Sequence, residues 1–407
     1  MGFRNHFLIR GTQLMGQARQ LFRRAAVKSG RSPDFIEDIQ TFCAPETPPA
    51  KRALLSLAPS AWAMALVESP NIRFFNICGL TYEIVKALNS KGYSVDIVDC
   101  GIPGFEPRKH YDFFLGHAVH TRSILDRLPK GAFVMNYASG AYWKEFNRMS
   151  QERYDNFCRR KGLPPVRDFV RSFRGTEQGE EYLVRRADAT FLSGPRTVAT
   201  YAGVAKGMSL LYLGAYVEKD YLVEDRDFEA GRKNFVYVAG TGGNVQKGMD
   251  LLLEAFARMP DLHLYIYCKV EEEVRRAYRL ELALPNIHFV YHYSKGPLRS
   301  RMKKLLKRIN FTISAPMDTG PGTALLGSLG VGLIPVGYID IEAEESNSVL
   351  TDSCTIEAIM DSARRASEKS AAWCREASRQ TLERFQRLHD PPSFGANFKA
   401  FLDRLGL

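Results

Sequence analysis

Asn234 to Met259 reads N-F-V-Y-V-A-G-T-G-G-N-V-Q-K-G-M-D-L-L-L-E-A-F-A-R-M, and this stretch decides the fold. Phe235, Val236, Tyr237, Val238 and Ala239 form the short β-branched and aromatic run that a buried strand needs, closed by Gly240. Gly240-Thr241-Gly242-Gly243 then carries no bulky side chain. From Met249 the apolar residues fall at Met249, Leu252, Leu253, Phe256 and Met259, the spacing of one helical face. Strand, bare loop, lysine and helix follow one another, which is the repeating unit of a parallel α/β sheet.

A loop without side chains lets an anion reach backbone N–H groups, and the positive end of the following helix favours it further. Gly242, Gly243 and Asn244 are the candidate amides and Lys247 the candidate cation. The spacing is not that of an ATPase phosphate loop, because Gly248 rather than Ser or Thr follows the lysine. It is not the G-x-G-x-x-G of a simple dinucleotide site either. A tight turn with a solvated lysine explains the same residues as an ordinary structural element.

The run G-T-G-G-N-V-Q-K-G-M-D-L-L-L-E-A-F resembles the start of the second domain of retaining glycosyltransferases of the GT-B fold, family 4 and its relatives. The resemblance implies two Rossmann-like, doubly wound parallel-sheet domains facing a cleft. It also implies that Lys247 contacts the diphosphate of a nucleotide-sugar donor. A second basic residue usual in that loop has no match here. Farther on, Ala315-Pro-Met-Asp-Thr-Gly-Pro-Gly-Thr-Ala-Leu-Leu-Gly-Ser-Leu-Gly-Val-Gly-Leu-Ile-Pro-Val matches the family's layout of strand, glycine loop, helix and next strand. The family's two glutamates, eight positions apart, fall on Thr319 and Gly327, so both are replaced and Asp318 is the nearest carboxylate. Gly320, Gly322 and Thr323 join the donor-binding candidates, and Asp318 joins Lys247 among the catalytic ones.

With 407 residues the chain is longer than one core usually serves, and its 45% hydrophobic content fills two. The segmentation expected is a basic helix and linker over 1–50, an acceptor domain over 51–215 and a charged connection over 216–232. A nucleotide-sugar domain over 233–390 and a final helix over 391–407 complete it. In the first domain, strands are expected at Arg52–Leu57, Val95–Asp99, Tyr111–Leu115 and Ala132–Asn136, with a last one from Leu210.

His117 and His120 follow the third of these strands at its carboxyl end, where open α/β sheets bind ligands. His117 is a catalytic candidate, as a hydrogen-bond partner of a substrate hydroxyl or phosphate; a satisfied structural histidine is the plainer reading. By the same resemblance, Arg73, Asn76 and Glu83 around the helix at 82–91 are acceptor-side candidates, and surface pairing or capping explains each as well. Trp143 and Asn147, in Asn136-Tyr-Ala-Ser-Gly-Ala-Tyr-Trp-Lys-Glu-Phe-Asn, have the chemistry to stack on and read a sugar; core packing of Trp143 and Phe146 is the alternative.

The net charge of +11 points to an acidic partner. No nucleic-acid motif accompanies it, so nucleic acid is not expected. Residues 1–33 hold seven Lys and Arg and no acid among interspersed apolar residues, so residues 1–30 read as a helix for an anionic membrane surface. A helix packed on its own domain is the alternative. The seven cysteines lack any C-x-x-C pair, which suits reduced thiols in a cytoplasmic protein at the inner face of the membrane. No metal and no cofactor is expected. The substrates implied are a nucleotide-sugar donor and a saccharide or lipid-linked acceptor, in bacterial surface polysaccharide or lipopolysaccharide assembly. A non-catalytic GT-B-like scaffold is the reading of another class.

Overall fold

The computed structural model describes residues 35–44, 49–57, 76–117, 120–164, 177–212, 223, 225–240, 243–291, 299–317 and 320–407. The chain forms two compact units: Met1–Glu145 with Arg174–Tyr216 and Leu388–Leu407, and Phe146–Phe173 with Val217–Arg387. Each contains one sheet whose central strands are parallel. Two doubly wound α/β units in one chain are what the sequence and its GT-B resemblance implied.

The first sheet comprises β1 (Phe35–Ile39), β2 (Lys51–Leu57), β3 (Tyr93–Asp99), β4 (Phe113–Gly116), β5 (Phe133–Ala138), β6 (Ala189–Leu192) and β7 (Met208–Leu210), in the order β1-β3-β2-β4-β5-β6-β7. β2 carries five successive buried residues and β4 is buried throughout, the pattern of strands covered on both faces. Helices α1 (Asn76–Ser90), α2 (Arg122–Leu125), α3 (Trp143–Lys161), α4 (Tyr182–Arg186) and α5 (Pro195–Tyr201) intervene.

Two expectations are corrected here. The segment read as a linker contains β1, which runs antiparallel to β3 at the sheet edge. Its acids made it look solvated, yet they are paired: Arg52 meets Asp38 at 2.7 Å, and Lys109 meets Glu37 at 2.9 Å and the buried Asp96 at 3.0 Å. The last strand, expected from Leu210, ends there, and residues 213–222 lie outside the described residues.

The second sheet comprises β8 (Asn234–Val238), β9 (His263–Tyr267), β10 (Ile287–Phe289), β11 (Phe311–Ser314), β12 (Ile334–Gly337) and β13 (Val349–Leu350), all parallel, in the order β10-β9-β8-β11-β12-β13. Its helices are α6 (Met249–Ala257), α7 (Glu272–Ala277), α8 (Arg299–Leu306), α9 (Thr323–Leu329), α10 (Ile356–Ser367) and α11 (Ala371–Leu388). The helical stripe read from the sequence is the buried face of α6: Met249, Leu252, Leu253 and Phe256 are fully buried. The chain ends in α12 (Pro391–Arg404), which belongs to the first unit and lies on α1.

Residues 146–173, placed with the first domain by their position in the chain, belong to the second unit. Tyr154, Phe157 and Cys158 of α3 share a core with Phe256 and Met259. The polar contacts agree. Asp250, fully buried at the start of α6, faces Arg153 at 4.0 Å and is bonded by Arg160, which also holds Glu254 at 2.9 Å. Burial raises the pKa of the Asp250 carboxyl while Arg153 and Arg160 lower it. Removing that carboxylate breaks a buried ion pair and leaves Arg160 with Glu254 and Arg153 with the Ala315 carbonyl, so Asp250→Ala is expected to cost about 3 kcal/mol. A urea titration would show it, and an unchanged midpoint would mean that the arginines rely on other partners.

Candidate functional site

In an open α/β sheet, ligands bind outside the carboxyl ends of the strands, where the strand order reverses. In the second sheet that place is between β8 and β11: from β8 the chain moves on to β9 at one side, from β11 to β12 at the other. The loop after β8 carries Lys247 and the loop after β11 carries Gly320, Gly322 and Thr323. The two glycine-rich stretches picked out in the sequence therefore flank one switch point.

They are also joined. The Met317 N–H donates to the Gln246 carbonyl at 2.8 Å, and a Cβ on Gly248 would stand 2.1 Å from the Ala315 carbonyl oxygen. Gly248 has φ +83°, a conformation that side chains other than glycine resist. The glycine of the Lys-Gly pair is thus fixed by the close approach of α6 to the end of β11. The Lys247 backbone is fixed further, its carbonyl accepting from the Tyr237 hydroxyl at 3.2 Å, and its Nζ lies beside Gly240, 3.5 Å from where a Cβ there would be. Burial pushes the nearby Cys268 thiol up to about 12, against the pull of the Lys247 charge.

The loop amides are a correction. Gly243 and Asn244 donate to the two carboxylate oxygens of Glu271 at 2.9 and 2.8 Å, while the Glu271 N–H donates to Asn244 Oδ1 at 2.6 Å. The Asn244 side chain also donates to the Lys269 carbonyl at 3.2 Å and is fully buried. Asn244 thus braces the loop, its amide and side chain both bonded within the chain. On the other side of the switch point the Gly320 N–H donates to the buried Asp340 at 2.6 Å. Glu271 follows β9 and Asp340 follows β12, so each loop is braced by the loop of the next strand outward. Glu271→Gln removes one of two charge-assisted bonds and is expected to lower stability by about 1–2 kcal/mol, read as a lower thermal midpoint; an unmoved midpoint would show that Asn244 alone holds the loop.

Gly322 and Thr323 are exposed, with Gly322 at the start of the seven-residue α9. Gly242 and Asp318 lie outside the described residues, as do Arg73 and residues 1–30.

The switch point of the first sheet lies between β2 and β4, and His117 stands at the end of β4. Its ring nitrogen and the Ser139 hydroxyl, at the end of β5, are 2.9 Å apart, and the ring tilts against Tyr137 with centroids at 5.1 Å. The fold thus brings together a half-buried imidazole and a hydroxyl at a carboxyl edge, which together can accept and donate to a polar ligand. His120 is exposed.

The acceptor-side candidates are scattered. Asn76 begins α1. Glu83 is buried under α12, where a Cβ on Gly395 would meet its Oε2 at 2.3 Å; burial raises its pKa, against Lys86. It is a packing residue. Trp143 packs beside Ala138, Tyr142, Leu192 and Tyr201 with the Lys144 ammonium 5.3 Å over its ring. Asn147 belongs to the second unit. Sequence reasoning missed Ser139, Glu271 and Asp340. Only Ser139 left a signal, as the Ser-Gly turn after a strand.

Among the described residues no group of three His, Cys, Asp or Glu side chains is placed to hold a metal, and no helix is long and apolar enough to cross a membrane. No family model matches the chain, and no curated protein does. Among solved structures it is similar to TarM of S. aureus, with TM-score 0.49 and 10% identity over 71% of this chain and 54% of TarM. It is similar to HepE of Anabaena, solved with UDP and glucose, with TM-score 0.49 and 10% identity over 87% of this chain and 100% of HepE. It is also similar to the pneumococcal O-GlcNAc transferase GtfA, solved with UDP and GlcNAc, with TM-score 0.41 and 14% identity over 72% of this chain and 56% of GtfA. The chain thus spans about half the length of TarM and of GtfA.

Proposed function

We propose that this chain is a glycosyltransferase that moves a sugar from a nucleoside-diphosphate donor to a saccharide or lipid-linked acceptor. The observation that carries this reading is Lys247, set by the locked Gly248 in a glycine-rich loop at the switch point between β8 and β11. A diphosphate at that edge meets a positive charge held in position, and charge that develops on it as the glycosidic bond breaks is stabilised electrostatically. Glu271 and Asp340 occupy the amides of Gly243, Asn244 and Gly320, so the lysine has the main part in binding the diphosphate. His117 with Ser139 is the polar pair for a sugar hydroxyl in the first unit.

Retention of configuration, independence of metal and a place in bacterial surface polysaccharide or lipopolysaccharide assembly rest on the family resemblance alone. A cytoplasmic location rests on the sequence's lack of a C-x-x-C pair. Attachment to an anionic membrane surface belongs to residues 1–30. A scaffold reading draws on Thr319 and Gly327, where the family has glutamates.

Incubation with UDP-, GDP-, ADP- and TDP-sugars separates the two. An enzyme releases nucleoside diphosphate in the presence of a saccharide or lipid-phosphate acceptor. Release from none of the donors, by a protein that still binds saccharide, would favour the scaffold.

A further inference from the structure

The amino edge of the second sheet, opposite to Lys247, holds a cavity of about 490 Å³ lined by Arg232, Lys233, His263, Tyr265, Leu305 and Arg308, among others. Its wall is built before any ligand arrives. The Asn234 side chain donates to the Ala230 and Arg308 carbonyls at 3.0 and 2.6 Å, and the Asp227 N–H donates to the Lys307 carbonyl at 2.8 Å. These bonds pin the turn before β8 to the end of α8.

The charge is one-sided. Glu229 also lines the cavity and pairs with Arg232 at 2.9 Å. Lys233 is 4.0 Å from Asp261, whose carboxylate is held more closely by Arg364, at 2.6 Å. Arg308 is exposed, and no hydrogen bond or ion pair of its guanidinium is found among the described residues. Arg301 and Lys304, seven and four positions earlier, are exposed on the same helical face.

The lining also carries rings. The rings of Tyr265 and His263 stack on His288 with centroids at 4.6 and 5.3 Å, and His263 Nδ1 is 3.1 Å from His288 Nε2. Burial and then His263 lower the pKa of His288, so the positive charge comes from the arginines and lysines. A pre-formed cavity of this size, lined by both cationic side chains and rings, suits a small ligand with an anionic end and a flat body.

We propose that the cavity binds a phosphorylated saccharide, its phosphate between Lys233 and Arg308 and its sugar ring against Tyr265 and His263. Nothing in the transfer reaction uses these residues, so the site is regulatory or tethers a substrate. Glucose 6-phosphate, titrated while the histidine ring resonances are followed by NMR, tests it. Saturable shifts of His263 and His288 are expected, at least about tenfold tighter than with glucose or inorganic phosphate. They should persist in Lys247→Ala. In Lys233→Ala with Arg308→Ala, whose replaced side chains lie at the surface, they should weaken at least tenfold. Unmoved histidines, or equal shifts in the double variant, would overturn the proposal. Dextran phosphate that displaces glucose 6-phosphate would identify a polymer-borne group as the ligand; displacement only by other small sugar phosphates would identify a free one.

Discussion

Lys247→Ala is expected to lower sugar transfer about a hundredfold or more while leaving the protein folded. The lysine is half-buried, and the loop that carries it is held by Glu271, Gln246 and Gly248. Its loss therefore removes a placed charge rather than a structural one. Removal of one preorganised group that stabilises developing negative charge typically costs about 10²–10³ in rate. Lys247→Arg keeps the charge but adds a planar fork beside Gly240, so it should recover only part of the activity. Steady-state rates with the best donor, together with a melting curve for each variant, would check this. Wild-type rates in Lys247→Ala would remove the lysine from the mechanism.

Gly248→Ala is expected to have the largest effect on stability. A β-carbon there meets the Ala315 carbonyl at 2.1 Å, and φ of +83° is strained for any residue with a side chain. The strained backbone costs about 1–3 kcal/mol and overpacking against a strand end about 1–3 more, so a loss of about 3 kcal/mol or above follows. Chemical denaturation should show a lower midpoint with an unchanged slope. A midpoint near that of the wild type would mean that α6 can move away from β11 without cost, and that Lys247 is not held where the structure puts it.

These two neighbouring residues show what the sequence made legible. The strand at β8, the bare loop and the stripe of α6 depend on local pattern, and pattern survives in one dimension: an apolar run, a glycine cluster and a 3.6-residue period. The reason for Gly248 was not legible, because Ala315 is far away in the chain. Glu271 and Asp340 were hidden in the same way: each looks like an ordinary charged residue, and only the order of strands brings it to a loop amide. β1 was missed because its acids imitate a solvated linker until Arg52 and Lys109 are seen beside them. Residues 146–173 were assigned by chain order, whereas Tyr154 and Phe157 follow the core they pack into.

The central claim, that the carboxyl edge between β8 and β11 holds a nucleoside diphosphate, is tested most directly by thermal shift. Wild type and Lys247→Ala would be melted with UDP, GDP, ADP, CDP and TDP in turn. A ligand that binds only the folded state at a hundred times its Kd adds about 2.7 kcal/mol. The wild type should therefore melt at a higher temperature with at least one nucleotide, and Lys247→Ala should not respond to that nucleotide. A wild type that melts at the same temperature with all five, or a variant that responds as the wild type does, would contradict the claim.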